Sequence, residues 1–223
     1  MQCIAISGKF CSGKDSLANE LIALDERYRR ISLADALKQD ICDLCCVPLA
    51  TLNANKHIYR GLLQAYGVVM RDVWGDDYWV DRLFDDARAA GNEHLIIADV
   101  RFPSEVLGIK GFLGEENTHL IRLTAPIEVL VERYKEIYGT EPTEEQLRHS
   151  SETALDDYVA PGVSFHQYLR SDLGSPKLLA RIVADTLASK GFDFGPAPVV
   201  QEAVVLEAYK GTDGGQDADS AAA

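Results

Sequence analysis

A glycine-rich stretch near the amino terminus has the residue types and the spacing that bind phosphate. Residues 8–14 read Gly-Lys-Phe-Cys-Ser-Gly-Lys, which matches the pattern G-x-x-x-x-G-K. The glycines let the backbone turn tightly, so that successive N–H groups can point at one anion. The lysine at this position can reach the terminal phosphates of a nucleotide. The predicted nucleotide-binding residues are Gly8, Lys9, Cys11, Ser12, Gly13, Lys14, Asp15 and Ser16.

The elements on either side of this stretch are those that a phosphate loop needs. The apolar run at residues 3–6 predicts a buried strand within residues 2–7, and residues 13–25 carry apolar side chains at helical spacing. Strand, glycine loop, lysine and helix form the P-loop arrangement, in which the helix N-terminus adds a partial positive charge. The alternative is a glycine turn that only joins strand to helix, and the complete spacing favours the phosphate site.

Three side chains with oxygen atoms are candidate ligands for Mg²⁺. The residue after the P-loop lysine is usually Ser or Thr, whose hydroxyl binds the metal, but here it is Asp15, with Ser16 next. A carboxylate can hold Mg²⁺ directly or through water. Asp99 ends the apolar run of residues 94–98, and an acid at the end of such a strand is typical of the Walker B position. The alternative for Asp99 is a helix cap or a turn, because Pro103 begins a new helix.

Lys14 and three arginines are the candidates for catalysis by positive charge. Arg101 follows the acidic strand end and would lie at the mouth of the same crevice. Arg133 lies on a helix predicted at residues 126–138, and Arg148 lies in a polar segment interpreted as a mobile lid. Phosphoryl transfer needs positioning and charge more than a base, so Arg133 and Arg148 are predicted to clamp the transferring group when the lid closes. The alternative for each of these two is an exposed salt bridge.

Residues 52–73 predict one helix that would carry donors for the second substrate. Lys56, Arg60, Gln64 and Arg71 have spacings of four, four and seven residues, which bring all or most of them near one face of that helix. The alternative is a solvated face, and Gln64 and Arg71 are the better individual candidates. Trp79 could stack on a base, although buried aromatic residues more often belong to the core. The predicted substrate-binding residues are Lys38, Gln64, Arg71, Trp79, Asp99 and Arg101.

Composition limits the class of protein. The chain has 223 residues and a net charge of −13, which argues against binding nucleic acid but not against binding one nucleotide. There is no signal peptide and no long apolar span, so we expect no membrane association and a cytoplasmic location.

The odd number of cysteines, five, indicates reduced thiols. Cys42 and Cys45 have the spacing of a metal or redox pair, but no second pair accompanies them, and ordinary packing is favoured. Further strands and helices are predicted at residues 29–33, 94–98, 118–123, 165–169 and 176–189.

Five segments, in order along residues 2–190, resemble phage deoxynucleoside monophosphate kinases, a family similar to the P-loop nucleoside monophosphate kinases. Asp after the P-loop lysine is familiar in that family, and the other segments are each weak alone. The segments are S-G-K-x-x-S-G-K-D at 7–15, S-L-A-D-A-L-K at 32–38, L-L-Q-x-x-G with Arg71 and Y-W-V at 62–80, D-V-R-F-P-S-E at 99–105, and S-E-x-x-L-D at 151–156.

The resemblance implies an α/β fold of the P-loop NTPase type, in which helices flank a five-stranded parallel sheet. It implies a kinase domain at residues 1–194, with an inserted monophosphate-binding region at about 38–75 and a lid at about 134–150. Residues 195–223 would be a partly disordered tail. The implied activity is transfer of the γ-phosphate of ATP, with Mg²⁺, to a deoxynucleoside monophosphate. The implied partners are small-molecule nucleotides, the implied location is the host cytoplasm if the protein is encoded by a phage, and a homodimer is left open.

Two features of the sequence depart from common adenylate kinases. Those enzymes carry Asp-Gly-Phe-Pro-Arg after the third strand, whereas here Arg101 precedes Phe102-Pro103. The lid region is also short and poor in arginine. Three alternatives remain open: a kinase similar to phosphomevalonate kinase, one similar to dephospho-CoA kinase, and a nucleotide-binding protein without catalysis.

Overall fold

The computed structural model describes residues 1–156 and 163–195, except for the side chains of Lys56 and His57. Its centre is a five-stranded sheet in the order β2-β3-β1-β4-β5, in which every neighbouring pair is parallel. The predicted class, an α/β P-loop NTPase fold with helices around a five-stranded parallel sheet, is confirmed. The strands are β1 (Gln2–Ser7), β2 (Arg29–Ile31), β3 (His94–Val100), β4 (Thr118–Thr124) and β5 (Gln167–Arg170).

The helices occupy most of the connections between these strands. In the described part of the chain they are α1 (Lys14–Leu24), α2 (Leu33–Cys45), α3 (Leu49–Ala54), α4 (Lys56–Trp74), α5 (Tyr78–Ala89), α6 (Pro103–Leu113), α7 (Ile127–Tyr138), α8 (Glu144–Arg148), α9 (Ser150–Thr153) and α10 (Pro176–Ser189), with a short 3-10 helix at Glu115–Asn117. Of these helices, α1, α7 and α10 match their predicted positions to within one residue.

The central strand is apolar because both of its faces are covered. Successive side chains of a strand point to opposite faces, and Ile4 and Ile6 accordingly pack with α1 and α10. Cys3 and Ala5 pack on the other face with α5 and α6. A parallel strand that is buried on both faces has a continuous run of apolar residues in its sequence. This packing fixes the end of β1, and therefore the glycine-rich loop, at the middle of the carboxyl edge of the sheet.

The predicted helix at residues 52–73 is two helices in the structure. Helix α3 ends at Ala54 and α4 begins at Lys56, because Asn55 adopts a non-helical backbone conformation and its side chain donates to the Thr51 carbonyl at 2.9 Å. Asn competes in this way with the helical hydrogen-bond pattern. The prediction of a single element was therefore wrong, although the end at Trp74 followed by Gly75 matches the expected break.

A third, smaller apolar cluster joins α2, α3 and α4. Ile41, Cys42 and Leu52 are buried there, and Tyr59 and Leu63 of α4 pack against them. The cysteines are free thiols, so the predicted packing role of Cys42 is confirmed. This cluster holds α4 beside the carboxyl edge of the sheet, where the predicted monophosphate-binding region would be needed.

The end of the described chain packs against the sheet. Phe192 and Phe194 are buried with α1 and α10, and the Gly195 amide donates to Asp25 at 2.7 Å. The remainder of the predicted tail, residues 196–223, lies outside the described residues. Among the described helices, none combines the length and the apolar character needed to cross a membrane.

Candidate nucleotide-binding site

The loop between β1 and α1 has the backbone of a phosphate-binding turn. Gly13 has φ +88° and Cys11 has φ +51°, so the chain turns through the left-handed region twice within three residues. A Cβ atom placed on Gly8 would lie 2.5 Å from the Leu123 carbonyl oxygen and 2.6 Å from the Ser12 hydroxyl. Because β4 approaches so closely, only glycine fits at position 8 without displacing backbone.

Lys14 is buried at the centre of this loop. Its ammonium group donates to the carbonyl oxygens of Gly8 at 2.7 Å and Lys9 at 2.5 Å, and contacts the Ser12 hydroxyl at 3.4 Å. Burial, followed by the nearby positive charge of Arg101, lowers the pKa of Lys14 to about 8. The loop therefore folds around a buried ammonium that is still mostly charged at neutral pH.

A cavity of about 420 Å³ opens beside Lys14. It lies between the phosphate loop, α1, α7 and the connection from β5 to α10, and its volume is in the range of small-molecule sites. Ser171, Gly174 and Pro176 belong to its lining and were missed from the sequence. The available signal was their position after the last strand, because the carboxyl ends of parallel strands share one edge. The lining residues are Cys11, Ser12, Gly13, Lys14, Asp15, Ser16, Leu17, Leu123, Arg133, Glu136, Ile137, Ser171, Gly174, Pro176 and Leu179.

Arg133 of α7 reaches this cavity. Its guanidinium donates to the Ser171 hydroxyl at 2.9 Å and to the Ser171 carbonyl at 2.8 Å, with a longer contact of 3.4 Å to the Cys11 carbonyl. The structure therefore brings this predicted catalytic residue to the phosphate loop. In the arrangement seen here, Arg133 ties α7 to the end of β5.

Two of the three predicted magnesium ligands lie at the cavity. Asp15 and Ser16 line it, and the exposed Asp15 carboxylate pairs with Arg30 of β2. Within the described residues, no three His, Cys, Asp or Glu side chains form a group that could hold a metal. Mg²⁺ commonly binds through one or two protein oxygens together with substrate phosphates and water, and the Asp15 and Ser16 side chains fit that kind of site.

Asp99 has a different set of partners. One carboxylate oxygen accepts from the Ser32 hydroxyl at 2.6 Å and the Ala34 amide at 3.2 Å, and the other accepts from the Leu33 amide at 3.1 Å. Asp99 thus caps the N-terminus of α2, whereas the capping alternative drawn from the sequence concerned the helix that begins at Pro103. Its predicted metal and substrate roles stay predictions, and both of its oxygens are already engaged.

The turn after β3 is held by Glu105. Its carboxylate accepts from the Arg101 amide at 2.6 Å and the Phe102 amide at 3.0 Å. Burial is the main reason that the pKa of Glu105 is raised to about 7. These bonds fix the backbone from which the Arg101 side chain extends.

Arg71 and Arg101 are not among the residues that line the cavity. The Arg71 guanidinium lies 5.1 Å from the centre of the Phe102 ring, and Arg101 pairs with Glu152 and donates to the Ser151 carbonyl at 3.2 Å. Gln64 contacts the His149 ring at 3.1 Å. Because Glu152 also accepts the Phe10 amide of the phosphate loop, the structure places Arg101, which follows β3, next to that loop. Gln64 and Arg71 of α4 contact the nearby His149 and Phe102.

Other predicted residues lie apart from this group. Trp79 is 4% exposed and donates to the Gly67 carbonyl at 3.1 Å, which corresponds to the core alternative rather than to base stacking. Lys38 pairs with Asp35 at 3.2 Å on its own helix. Arg148 is 82% exposed and pairs with Glu144 at 3.5 Å, so its clamping role would require α8 to move.

The structure adds buried polar residues that the sequence reasoning missed. Arg122 of β4 donates to the Ser7 hydroxyl at 2.8 Å and to Asp156 at 2.8 Å. Asp156 also pairs with Lys9 of the phosphate loop at 2.5 Å. An arginine within an apolar strand was the available signal, because a buried charge requires a partner.

Solved structures with a similar fold include kinases. A putative kinase from Chloroflexus aurantiacus matches with a TM-score of 0.50 at 17% identity, covering 85% of this chain and 99% of that one. A sugar kinase from a Janibacter species has a TM-score of 0.49 at 16% identity, with 84% and 95% covered. A gluconokinase from Sinorhizobium meliloti has a TM-score of 0.45 at 16% identity, with 85% and 97% covered. No family model and no curated protein matches the sequence.

At such identities the similarity concerns the fold alone. The strand order and the phosphate loop after β1 define a P-loop NTPase fold, and the similar structures place kinases among the proteins that share it. The substrate that this chain acts on is a separate question, which depends on the residues around the loop.

Proposed function

We propose that this chain is an ATP-dependent kinase that phosphorylates the phosphate group of a small metabolite, with a deoxynucleoside monophosphate as the favoured acceptor. One observation carries the proposal. A cavity opens beside the buried Lys14. Arg101, which is not part of the cavity lining, is close enough to Lys14 to lower its pKa, and Arg71 lies over the ring of the adjacent Phe102. This is the arrangement needed to hold a donor and an anionic acceptor against each other.

The cavity supports the choice of a nucleotide as donor. Apolar side chains of Ile137, Pro176 and Leu179 line it beyond the polar phosphate loop. Small-molecule sites commonly combine an apolar wall with a few polar groups. A nucleoside would occupy the apolar part while its phosphates reach the loop amides and Lys14.

Arg71 and Arg101 support a phosphorylated acceptor. Arg101 influences Lys14 electrostatically, and Arg71 influences the buried Glu105 near Arg101, so the two guanidinium groups share one neighbourhood. Arginine binds phosphate through two parallel N–H···O bonds. An acceptor that carries a phosphate could accept from the N–H groups of both guanidinium groups, which an acceptor with only hydroxyl groups would use less well.

The proposed reaction depends on position and charge. The loop amides and Lys14 hold the β- and γ-phosphates, Arg71 and Arg101 hold the acceptor phosphate, and Arg133 neutralises charge on the transferring group. Bound Mg²⁺ would supply further charge neutralisation, with Asp15 and Ser16 as the residues at the cavity that would hold it. No general base is required, because the attacking oxygen belongs to a phosphate that is already ionised.

The test is release of ADP from MgATP across a panel of acceptors. The panel contains deoxy- and ribonucleoside monophosphates, phosphomevalonate, dephospho-CoA, shikimate, gluconate and simple sugars. Turnover with one or more deoxynucleoside monophosphates, at a rate well above that with hydroxyl acceptors, is expected. Turnover with a hydroxyl acceptor alone would contradict the proposed acceptor class, and binding of ATP without turnover on any acceptor would contradict the kinase assignment.

A further inference from the structure

We propose that Glu152 is a positioning residue, which aims Arg101 at the acceptor phosphate and ties it to the phosphate loop. This inference rests on the proposed function. Glu152 lies on α9, 51 residues along the chain from Arg101 and 142 residues from Phe10. It contacts both of them, so it joins the two sides of the site.

Glu152 accepts one hydrogen bond from the phosphate loop and one from Arg101. One carboxylate oxygen accepts the Phe10 amide of the phosphate loop at 2.7 Å. The other oxygen accepts from the Nη1 atom of Arg101. The Glu152 side chain is only 10% exposed, and a carboxylate so far removed from water is stable only when its oxygens are bonded. The geometry therefore links the position of Arg101 to that of the loop.

The bonds to Arg101 leave part of its guanidinium available. Glu152 and the Ser151 carbonyl both use Nη1, and within the described residues no partner bonds to Nε or Nη2. These two N–H groups point the same way and form a fork that fits two oxygens of one phosphate. The bonds to Nη1 fix the direction in which Nε and Nη2 point. The Arg101 side chain therefore loses less conformational freedom when the acceptor binds.

Residues 150–156, here named the acidic strap, are well anchored for this purpose. Leu155 is buried in the core beneath α5 and α6. Asp156 pairs with both Lys9 and Arg122. At the other end, the Ser151 amide donates to His149, whose ring also contacts Gln64 of α4. The strap thus connects the helix on the acceptor side to the phosphate loop, and Glu152 lies at its centre.

The decisive experiment is a double-mutant cycle with Glu152→Gln and Arg101→Ala. Gln keeps the size of the side chain and one oxygen for the Phe10 amide, but it removes the charge that holds Arg101. We expect Glu152→Gln to raise the KM for the acceptor nucleotide about tenfold while the KM for ATP changes less than about twofold. In the Arg101→Ala background, the same change should have almost no further effect, because residues that act as a unit are not additive.

Other outcomes overturn the proposal. Equal losses from Glu152→Gln in both backgrounds would mean that Glu152 does not act through Arg101. A similar rise in both KM values would mean that it only supports the loop. Glu115→Gln is the matched control, since Glu115 is an exposed acid that pairs with Lys110, and it should leave both KM values unchanged. An acceptor KM that rose as much in this control would remove the assignment to Glu152.

A second measurement separates this inference from the proposed function. With MgADP filling the phosphate loop, inorganic phosphate is titrated against wild type, Glu152→Gln and Arg101→Ala, and the shift in Tm is recorded. If no acceptor is phosphorylated, the function fails, but stabilisation of wild type that both variants lose would still support the positioning role. Equal stabilisation of Glu152→Gln and wild type, or none of wild type, would contradict it.

Discussion

The two sides of the site are built in different ways. The phosphate-binding part of the donor side is a single run of residues 8–16, whose shape follows from its glycines, from the close approach of β4 and from the buried Lys14. The acceptor side draws on α4, the end of β3 and the acidic strap, and its side chains hold one another by ion pairs and ring contacts. A site formed by backbone N–H groups is rigid before its ligand binds. A site formed by long side chains is rigid only when neighbouring residues hold those side chains in place.

This contrast predicts different consequences of mutation on the two sides. Changes in the loop should affect ATP first and should be severe. Changes on the acceptor side should affect the second substrate and leave ATP binding nearly unchanged.

Lys14→Ala should reduce kcat by about a thousandfold or more, because the ammonium stabilises charge where it develops in the transition state. Circular dichroism should show an unchanged fold, since the hydrogen bonds of the ammonium group go to Gly8, Lys9 and Ser12 of its own loop. Lys135→Ala is the control: this lysine is 61% exposed and pairs with Glu141, so activity should stay at the wild-type level. Comparable activity in Lys14→Ala would reject the donor-side assignment.

Gly8→Ala should raise the KM for ATP by about a hundredfold and lower the free energy of unfolding by about 1–3 kcal/mol. The added methyl group would meet the Leu123 carbonyl at 2.5 Å, so the loop must shift. Gly111→Ala on α6 is a matched control, because nothing lies within 4 Å of its Cβ position, and Ala there should raise stability slightly. Chemical denaturation and steady-state kinetics check both, and an unchanged ATP KM in Gly8→Ala would show that the loop does not touch phosphate.

Arg71→Ala should raise the acceptor KM about tenfold and leave the ATP KM within about twofold, because it removes one phosphate-binding guanidinium. Arg88→Ala provides the comparison. Arg88 also lies over a phenylalanine ring, 4.2 Å from the centre of Phe112, but on α5. A similar increase in acceptor KM for both variants would mean that the effect comes from lost ring packing instead of lost phosphate binding.

The pH profile should show the smallest effect. Burial lowers the pKa of Lys14 to about 8, so the lysine is charged below that pH and neutral above it. The value of kcat/KM for ATP, which reports the free enzyme, should therefore fall as pH rises above about 8. With ATP bound, the phosphates favour the charged ammonium, so kcat should begin to fall only at a higher pH. Parallel profiles for the two quantities would disagree with the burial of Lys14.

The fold was predictable where local patterns are strong. Strand β1 and helix α10 have the bounds read from the apolar runs, because each is covered on the faces that the pattern marks. The split at Asn55 was not predictable in this way, because it depends on a side chain that competes with the helix for hydrogen bonds.

Within the site, the phosphate loop was the part that the sequence described most fully. The phosphate loop is local, so its spacing in the sequence already describes its geometry. Asp99 illustrates the limit elsewhere in the site: its place at the carboxyl end of β3 was expected, but its oxygens cap α2, a contact across 66 residues. Glu152 had no signal of its own, because its role depends on Phe10 and Arg101, which only the tertiary fold brings together.

The central claim is that the loop between β1 and α1 binds the phosphates of ATP through Lys14. Isothermal titration of a non-hydrolysable ATP analogue with Mg²⁺ into wild type and Lys14→Ala tests this claim most directly. We expect saturable binding at one site per chain in wild type and at least a tenfold weaker interaction in the variant. Equal affinity for the two proteins, or no binding by wild type, would contradict the claim.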